Sequence, residues 1–179
     1  VRFNFYFLSA VCLLVALGSG CQSTERKKSK QLATFRVHLE SSSEAPEQTE
    51  MITVFRNQPL DLRIQKSPFL TEGNIAGAKL IESLGSFSIS VQFDRQGTWL
   101  LEQYTTANLQ RHFAIFSQFV PPGEEKLNNG RWLSAPKIIK RNNSGLLIFT
   151  PDASREEAEQ IVSGLMHVAK KTQDKPFTM

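Results

Sequence analysis

The sequence predicts an α+β domain: a mainly antiparallel sheet with about three helices packed on one face, preceded by an N-terminal address segment. Three observations lead there. From Leu32 onward apolar and polar residues alternate with the period of a half-buried strand, as in Phe35, Val37 and Leu39 against Arg36, His38 and Glu40. Near the C-terminus the apolar spacing becomes helical, through Ala158, Ile161, Val162, Leu165 and Ala169. Most segments between successive strands are too short for the crossover that parallel strands require.

The elements follow in order. After the strand around Phe35–Leu39, the polar run 41–48 forms a loop, and a second strand lies near Met51–Phe55. Asn57-Gln58-Pro59 turns the chain into a third strand carrying Leu60, Leu62 and Ile64. Thr71 is positioned to cap a helix running to about Ser83, with Ile75, Ala78, Leu80 and Ile81 inward, despite the helix penalty of Gly73 and Gly77. Ser86–Phe93 alternates cleanly, with Phe87, Ile89, Val91 and Phe93 on one face and Ser86, Ser88, Ser90 and Gln92 on the other. Asp94–Gly97 is a turn, and Thr98–Asn108 a helix with Leu100, Leu101 and Tyr104 on its apolar side. Phe113–Phe116 is apolar on both faces and therefore a central strand. Short strands follow near Trp132-Leu133, Lys137–Lys140 and Leu146–Phe149. The last helix opens on a capping box, Ser154-Arg155-Glu156-Glu157.

Composition limits the function classes. The 179 residues are 40% hydrophobic and 21% charged, as expected for one globular domain rather than a disordered chain. No stretch of about 20 apolar residues is present, which excludes a multi-span membrane protein. A net charge of +4 without a strongly clustered basic face gives no reason to expect a nucleic-acid partner.

The first residues read as a targeting signal. Arg2 precedes a nearly unbroken apolar run from Phe5 to Leu17, the length of a signal-peptide core and short for a bilayer span. Gly18-Ser19-Gly20 and Cys21 follow, and the whole resembles a bacterial lipoprotein signal, cut before a cysteine whose sulfur carries a diacylglycerol. Gly18 stands where such signals usually have leucine. An ordinary signal cleaved near Gly20, or an uncleaved anchor, is the alternative. Acylated Cys21 would bind membrane lipid, each buried CH2 contributing about 0.8 kcal/mol. Gln22 after it favours the outer over the inner membrane. Residues 1–20 are thus the signal, 21–31 a basic tether with Arg26, Lys27, Lys28 and Lys30, 32–171 the folded domain and 172–179 a tail. The tether is a solvated spacer or is drawn to anionic headgroups, at about 1 kcal/mol per basic residue near the surface. The only cysteines are Cys12 and Cys21, so the folded part holds no disulfide, thiolate nucleophile or cysteine metal site.

Between residues 104 and 167 the order of motifs becomes specific. Thr105-Thr106-Ala107-Asn108 ends a helix, Phe113-Ala114-Ile115 forms a strand, and Ser134-Ala135-Pro136-Lys137-Ile138 follows. Gly145 leads the next strand, and Phe149-Thr150 leads to Glu156-Glu157-Ala158 in the last helix. This order resembles the head subdomain of the first periplasmic domain of the protein-export subunit SecD, over roughly residues 50–167. The chain departs from that pattern in four respects. Gln110-Arg111 replaces a Gly-Lys, Ser117-Gln118 stands where an aspartate is usual, and the hairpin Val120–Trp132 is enlarged. SecD also has transmembrane helices that use the proton gradient. The resemblance implies the head fold and contacts with exported polypeptide or translocon components, without proton-driven translocation.

The residues themselves supply little chemistry. His38, His112 and His167 fall on three elements without metal-ligand spacing, and each is expected at the surface. No Gly-x-Ser-x-Gly elbow or phosphate-binding glycine loop occurs, so no catalytic residue, metal or cofactor is assigned. Trp132, with Pro121 and Pro122 in the 121–130 loop, is the candidate for gripping a partner, unless Trp132 only seals one end of the core. The expected function is a lipid-anchored periplasmic protein that binds protein or peptide without catalysis, in an accessory export or envelope role. A structural envelope lipoprotein and a small periplasmic hydrolase are the rivals.

Overall fold

The computed structural model describes residues 33–83, 85–120, 124, 126, 127 and 130–173. The chain divides into two units, Val1–Lys30 and Gln31–Met179, and every described residue belongs to the second. Its strands are β1 (Arg36–Leu39), β2 (Thr49–Val54), β3 (Leu60–Gln65), β4 (Leu70–Thr71), β5 (Ile75–Ser83), β6 (Ser86–Phe93), β7 (Phe113–Ser117), β8 (Arg131–Ser134) and β9 (Leu146–Phe149). Two helices are present among the described residues, α1 (Arg95–Ala107) and α2 (Arg155–Gln173), besides one 3-10 turn at Glu72–Asn74.

All pairs of the described strands are antiparallel, which the short turns dictate for β2–β3 and β5–β6, but they form three sheets rather than one. A four-stranded sheet has the order β4-β1-β7-β8, a three-stranded sheet the order β5-β6-β9, and β2-β3 is a two-stranded ribbon. A single bridge from Glu40 to Ile64 ties the ribbon to the end of β1. Phe113–Phe116 is central as expected, since β7 is flanked by β1 and β8.

The expected helix between Thr71 and Ser83 is instead the 3-10 turn followed by the long strand β5. The cause is a β-bulge. Ile75 pairs with Phe93 and Gly77 with Gln92, so Ala76 is an extra residue that shifts the phase. Ile75 is buried, while Ala78 and Leu80 pack on the core, and their spacing imitates one helical face. Thr71 does cap, but it caps only the 3-10 turn, its backbone N–H donating to Asn74 Oδ1 at 3.1 Å. The strand expected at Lys137–Lys140 is reduced to one bridge between His112 and Lys137.

The main core lies between the four-stranded and three-stranded sheets and the helices. Phe35 is fully buried there, its ring 6.3 Å from Phe93 and 6.2 Å from Phe149, and Leu101 of α1 and Ile161 and Leu165 of α2 are buried in the same core. The capping box of α2 forms in both directions: Ser154 N–H donates to Glu157 Oε2 at 2.8 Å and Glu157 N–H to Ser154 Oγ at 3.2 Å. Asp94 caps α1 by accepting from Gly97 N–H at 2.7 Å. A second, smaller cluster joins Ile52, Val54, Leu62 and Ile64 of the ribbon to Ala114 and Ala135. Beta-strand alternation makes this possible, because Phe113 and Ile115 face the main core while Ala114 faces the ribbon.

Candidate functional site

The tip of the ribbon and the outer face of β6 and β9, where β9 ends its sheet, border an open cleft of about 1030 Å³. Its walls are Phe55, Pro59 and Leu60 from the ribbon and Ile148, Thr150 and Pro151 from β9 and its continuation, with Ser134–Pro136 at the end of β8 facing them. Turn chemistry builds the first wall. Phe55 leaves β2 at φ 67°, a left-handed conformation that costs a residue with a Cβ about 1–2 kcal/mol. That turn brings Arg56 over Asp152, just beyond β9. The Arg56 backbone N–H donates to Asp152 Oδ2 at 3.0 Å, and the guanidinium reaches the same carboxylate at 3.1 Å from Nε and 3.2 Å from Nη2.

With the Arg56 side chain 61% exposed, this pair adds little to global stability, but it fixes where the tip stands. Burial works against the Asp152 carboxylate, yet the hydrogen bonds and charge of Arg56 outweigh it and hold the pKa below the ordinary aspartate value. Glu157 follows the same balance: partial burial opposes its charge, while the Arg131 hydrogen bond at 2.5 Å and the Ser154 N–H lower its pKa. The Arg56–Asp152 clasp at the ribbon tip is therefore fully charged at neutral pH. Arg131 also lies 5.5 Å over the Phe119 ring, joining the start of β8 to the main core.

β9 contributes part of the apolar character of the cleft. Leu147 and Phe149 are buried, whereas Leu146 is 36% and Ile148 50% exposed on the opposite face. Ser88 and Thr150 share a hydrogen bond at 3.2 Å on that face. Ser90, expected in solvent, is buried between its cross-strand neighbours Lys79 and Ile148. Gly145 leads into β9 at φ 68°, and a Cβ there would lie 2.1 Å from Thr98 Oγ1, so only glycine fits this entry.

The histidines lie elsewhere. His38 is buried, correcting the surface expectation: the ribbon covers the face of β1 that would otherwise meet solvent. Its Nδ1 donates to the Gln65 carbonyl at 2.8 Å, and its ring stands edge-on to Trp132 at 5.2 Å. Burial lowers its pKa, against the raising effect of that carbonyl and of Glu50. His112 is half-buried, and Glu40 Oε2 accepts from both its backbone N–H at 2.7 Å and its Nδ1 at 2.8 Å. This pair stitches the end of β1 to the segment before β7 and does not line the cleft. His167 is partly exposed on α2. Among the described residues, no three His, Cys, Asp or Glu side chains are grouped as a metal would need.

Trp132 lies on β8 at the margin of the second cluster, against His38 and, at 5.1 Å, Phe116. It is partly buried there and stands outside the cleft lining, although Ser134 on the same strand belongs to it. Pro121, Pro122 and Cys21 lie outside the described residues. Sequence reading missed Phe55, Arg56, Ile148 and Asp152. One signal was available: Leu146–Phe149 is apolar at every position, so a strand with one solvent face must expose two of them.

Comparison with known proteins matches this architecture. The family model of the SecDF P1 head subdomain matches residues 47–167. Two solved structures superpose at 21% identity. One, described under "Structure and function of a membrane component SecDF that enhances protein export", gives a TM-score of 0.54 over 83% of this chain and 70% of that one. The other, "Crystal structure of SecDF in Super-membrane-facing form", gives 0.53 over 81% of this chain but only 21% of its own length. At this identity they establish a shared fold. The search of curated proteins finds no match. The family match spans both sides of the cleft, from the ribbon through β9 to α2, and the chain belongs to the SecDF P1 head subdomain family.

Proposed function

We propose that this chain is a lipid-tethered envelope protein whose head domain holds segments of polypeptide, without catalysis, as an accessory to protein export. The cleft carries the reading: apolar side chains of the ribbon tip and of β9 face one another across an open groove, and an ion-paired clasp holds the tip in place. Membership of a SecDF subdomain family supports an export-related role and a periplasmic setting. The anchor rests on the sequence around Cys21, with the basic residues after it acting as tether. Trp132, Pro121 and Pro122 belong to the segment that leads into Ser134 at the cleft wall, and we assign them to contacts with the same polypeptide.

Two experiments test this. Cys21→Ala should move the protein from the membrane fraction to the soluble fraction; retention on the membrane would refute the acyl anchor. The purified full chain should bind a fluorescently labelled, unfolded exported polypeptide, and Ile148→Lys should weaken that binding by about tenfold. Binding unaffected by this substitution would remove the cleft from the proposal. No binding at all would leave the structural-lipoprotein reading in its place.

A further inference from the structure

We infer that the cleft takes its polypeptide as an added β-strand, paired backbone to backbone with the free edge of β9 at Ile148 and Thr150. The inference rests on the polypeptide-binding reading above and specifies how that binding is made.

The register of β6 and β9 decides which backbone groups face outward. Phe93 N–H donates to the Gly145 carbonyl at 2.9 Å, and these residues stand directly opposite one another. In an antiparallel ladder hydrogen-bonded pairs alternate with non-bonded ones. Val91 with Leu147 and Ile89 with Phe149 are therefore bonded pairs, while Gln92 with Leu146 and Ser90 with Ile148 are not. The N–H and C=O groups of Leu146, Ile148 and Thr150 accordingly point away from β6. Among the described residues no strand pairs with β9 on that side, because it ends its sheet.

The ends of this edge are satisfied. The Leu146 carbonyl accepts from Asn142 Nδ2 at 2.8 Å, and its N–H donates to Ser144 Oγ at 3.2 Å. At the far end Asp152 N–H donates to the Leu133 carbonyl of β8 at 2.7 Å, so the two sheet edges touch there. Between these points, among the described residues, the backbone groups of Ile148 and Thr150 have no hydrogen-bond partner, and both residues line the cleft. They offer a donor and an acceptor at each of two positions roughly 7 Å apart, a spacing that an extended main chain matches.

The walls select one strand over a second sheet. Ile148 and Thr150 share with the ribbon tip and Ser134–Pro136 a space of about 1030 Å³, which suits a short extended segment better than the edge of another folded copy. Ile148, half-exposed on the outer face, would lie beside the side chain opposite it, so apolar residues at alternate positions are favoured. Because the remaining contacts are to main chain, the site would accept many sequences.

The test uses the full chain and a short fluorescein-labelled peptide alternating valine and threonine. N-methylation of the valine positions, which place their N–H groups toward β9 when valine lies opposite Ile148, should weaken binding by about tenfold or more. N-methylation of the threonine positions should change it less than about twofold. Ile148→Pro removes the outward donor while leaving the bonds to β6, and should lose the peptide. The methylated peptides decide the matter even if that variant fails to fold. Binding that responds equally to both methylation patterns, or to neither, would overturn strand addition while leaving polypeptide binding intact. No binding of the unmodified peptide would overturn both. A concentration-dependent dimer of the full chain that Ile148→Pro abolishes would give the edge to a second copy and also overturn the inference.

Discussion

The two sides of β7 are built to different specifications. On one, Phe113 and Ile115 meet Phe35, Leu133 and the helices in a core of large, fully enclosed side chains. On the other, Ala114 meets a two-stranded ribbon whose anchors are Val54 and Ile64, with Ala135 beside it. A two-stranded ribbon is marginal by itself, so it borrows its order from this small contact and from the Arg56–Asp152 clasp at its tip. The difference separates the tasks: the first side supplies stability, and the second positions a wall of the cleft at low energetic cost.

Substitutions should distinguish the two sides. Phe35→Ala empties the centre of the main core and should cost about 3–5 kcal/mol, measured by urea denaturation. Ile64→Ala should cost less, about 2–3 kcal/mol, because the ribbon can settle onto the vacated space. Hydrogen exchange should then quicken in residues 49–65 while β6 and β7 stay protected; uniform loss of protection would show that both clusters are one cooperative unit. The smallest effect is a pH dependence on the ribbon side. Burial keeps the folded pKa of His38 below that of the unfolded chain, so at pH just under the unfolded value the unfolded state binds more protons. The contribution of neutral His38 to stability is thus complete above about pH 6.5 and falls as pH drops below it. His38→Gln should flatten that limb of a stability–pH curve; an unchanged curve would place the acid sensitivity in another group.

The sequence was informative wherever a segment's pattern reflected a single face. Ser86–Phe93 shows its alternation because one side packs on the core, and Ser154–Glu157 announces α2 because a capping box is local chemistry. It misled at Ile75–Ser83, where one bulged residue turned period two into the spacing of a helix. It also misplaced His38, whose polar phase on β1 lies beneath the ribbon instead of in water. The cleft was harder still. Its wall residues Phe55, Ser134 and Ile148 come from three separate strands or their ends, and no spacing along the chain relates them.

Short-range chemistry settles the α+β class, most strand and helix positions, the caps, and the order of motifs shared with the SecDF head subdomain. These follow from periodicity and from hydrogen bonds made within a few residues. Long-range packing settles that the strands divide into three sheets, that the ribbon covers the second face of the β1–β7 sheet, and that β9 ends its sheet beside a groove. Those outcomes depend on which edges meet across long stretches of chain. Side-chain pattern marks which face of a strand is buried, but not which neighbour its backbone will find.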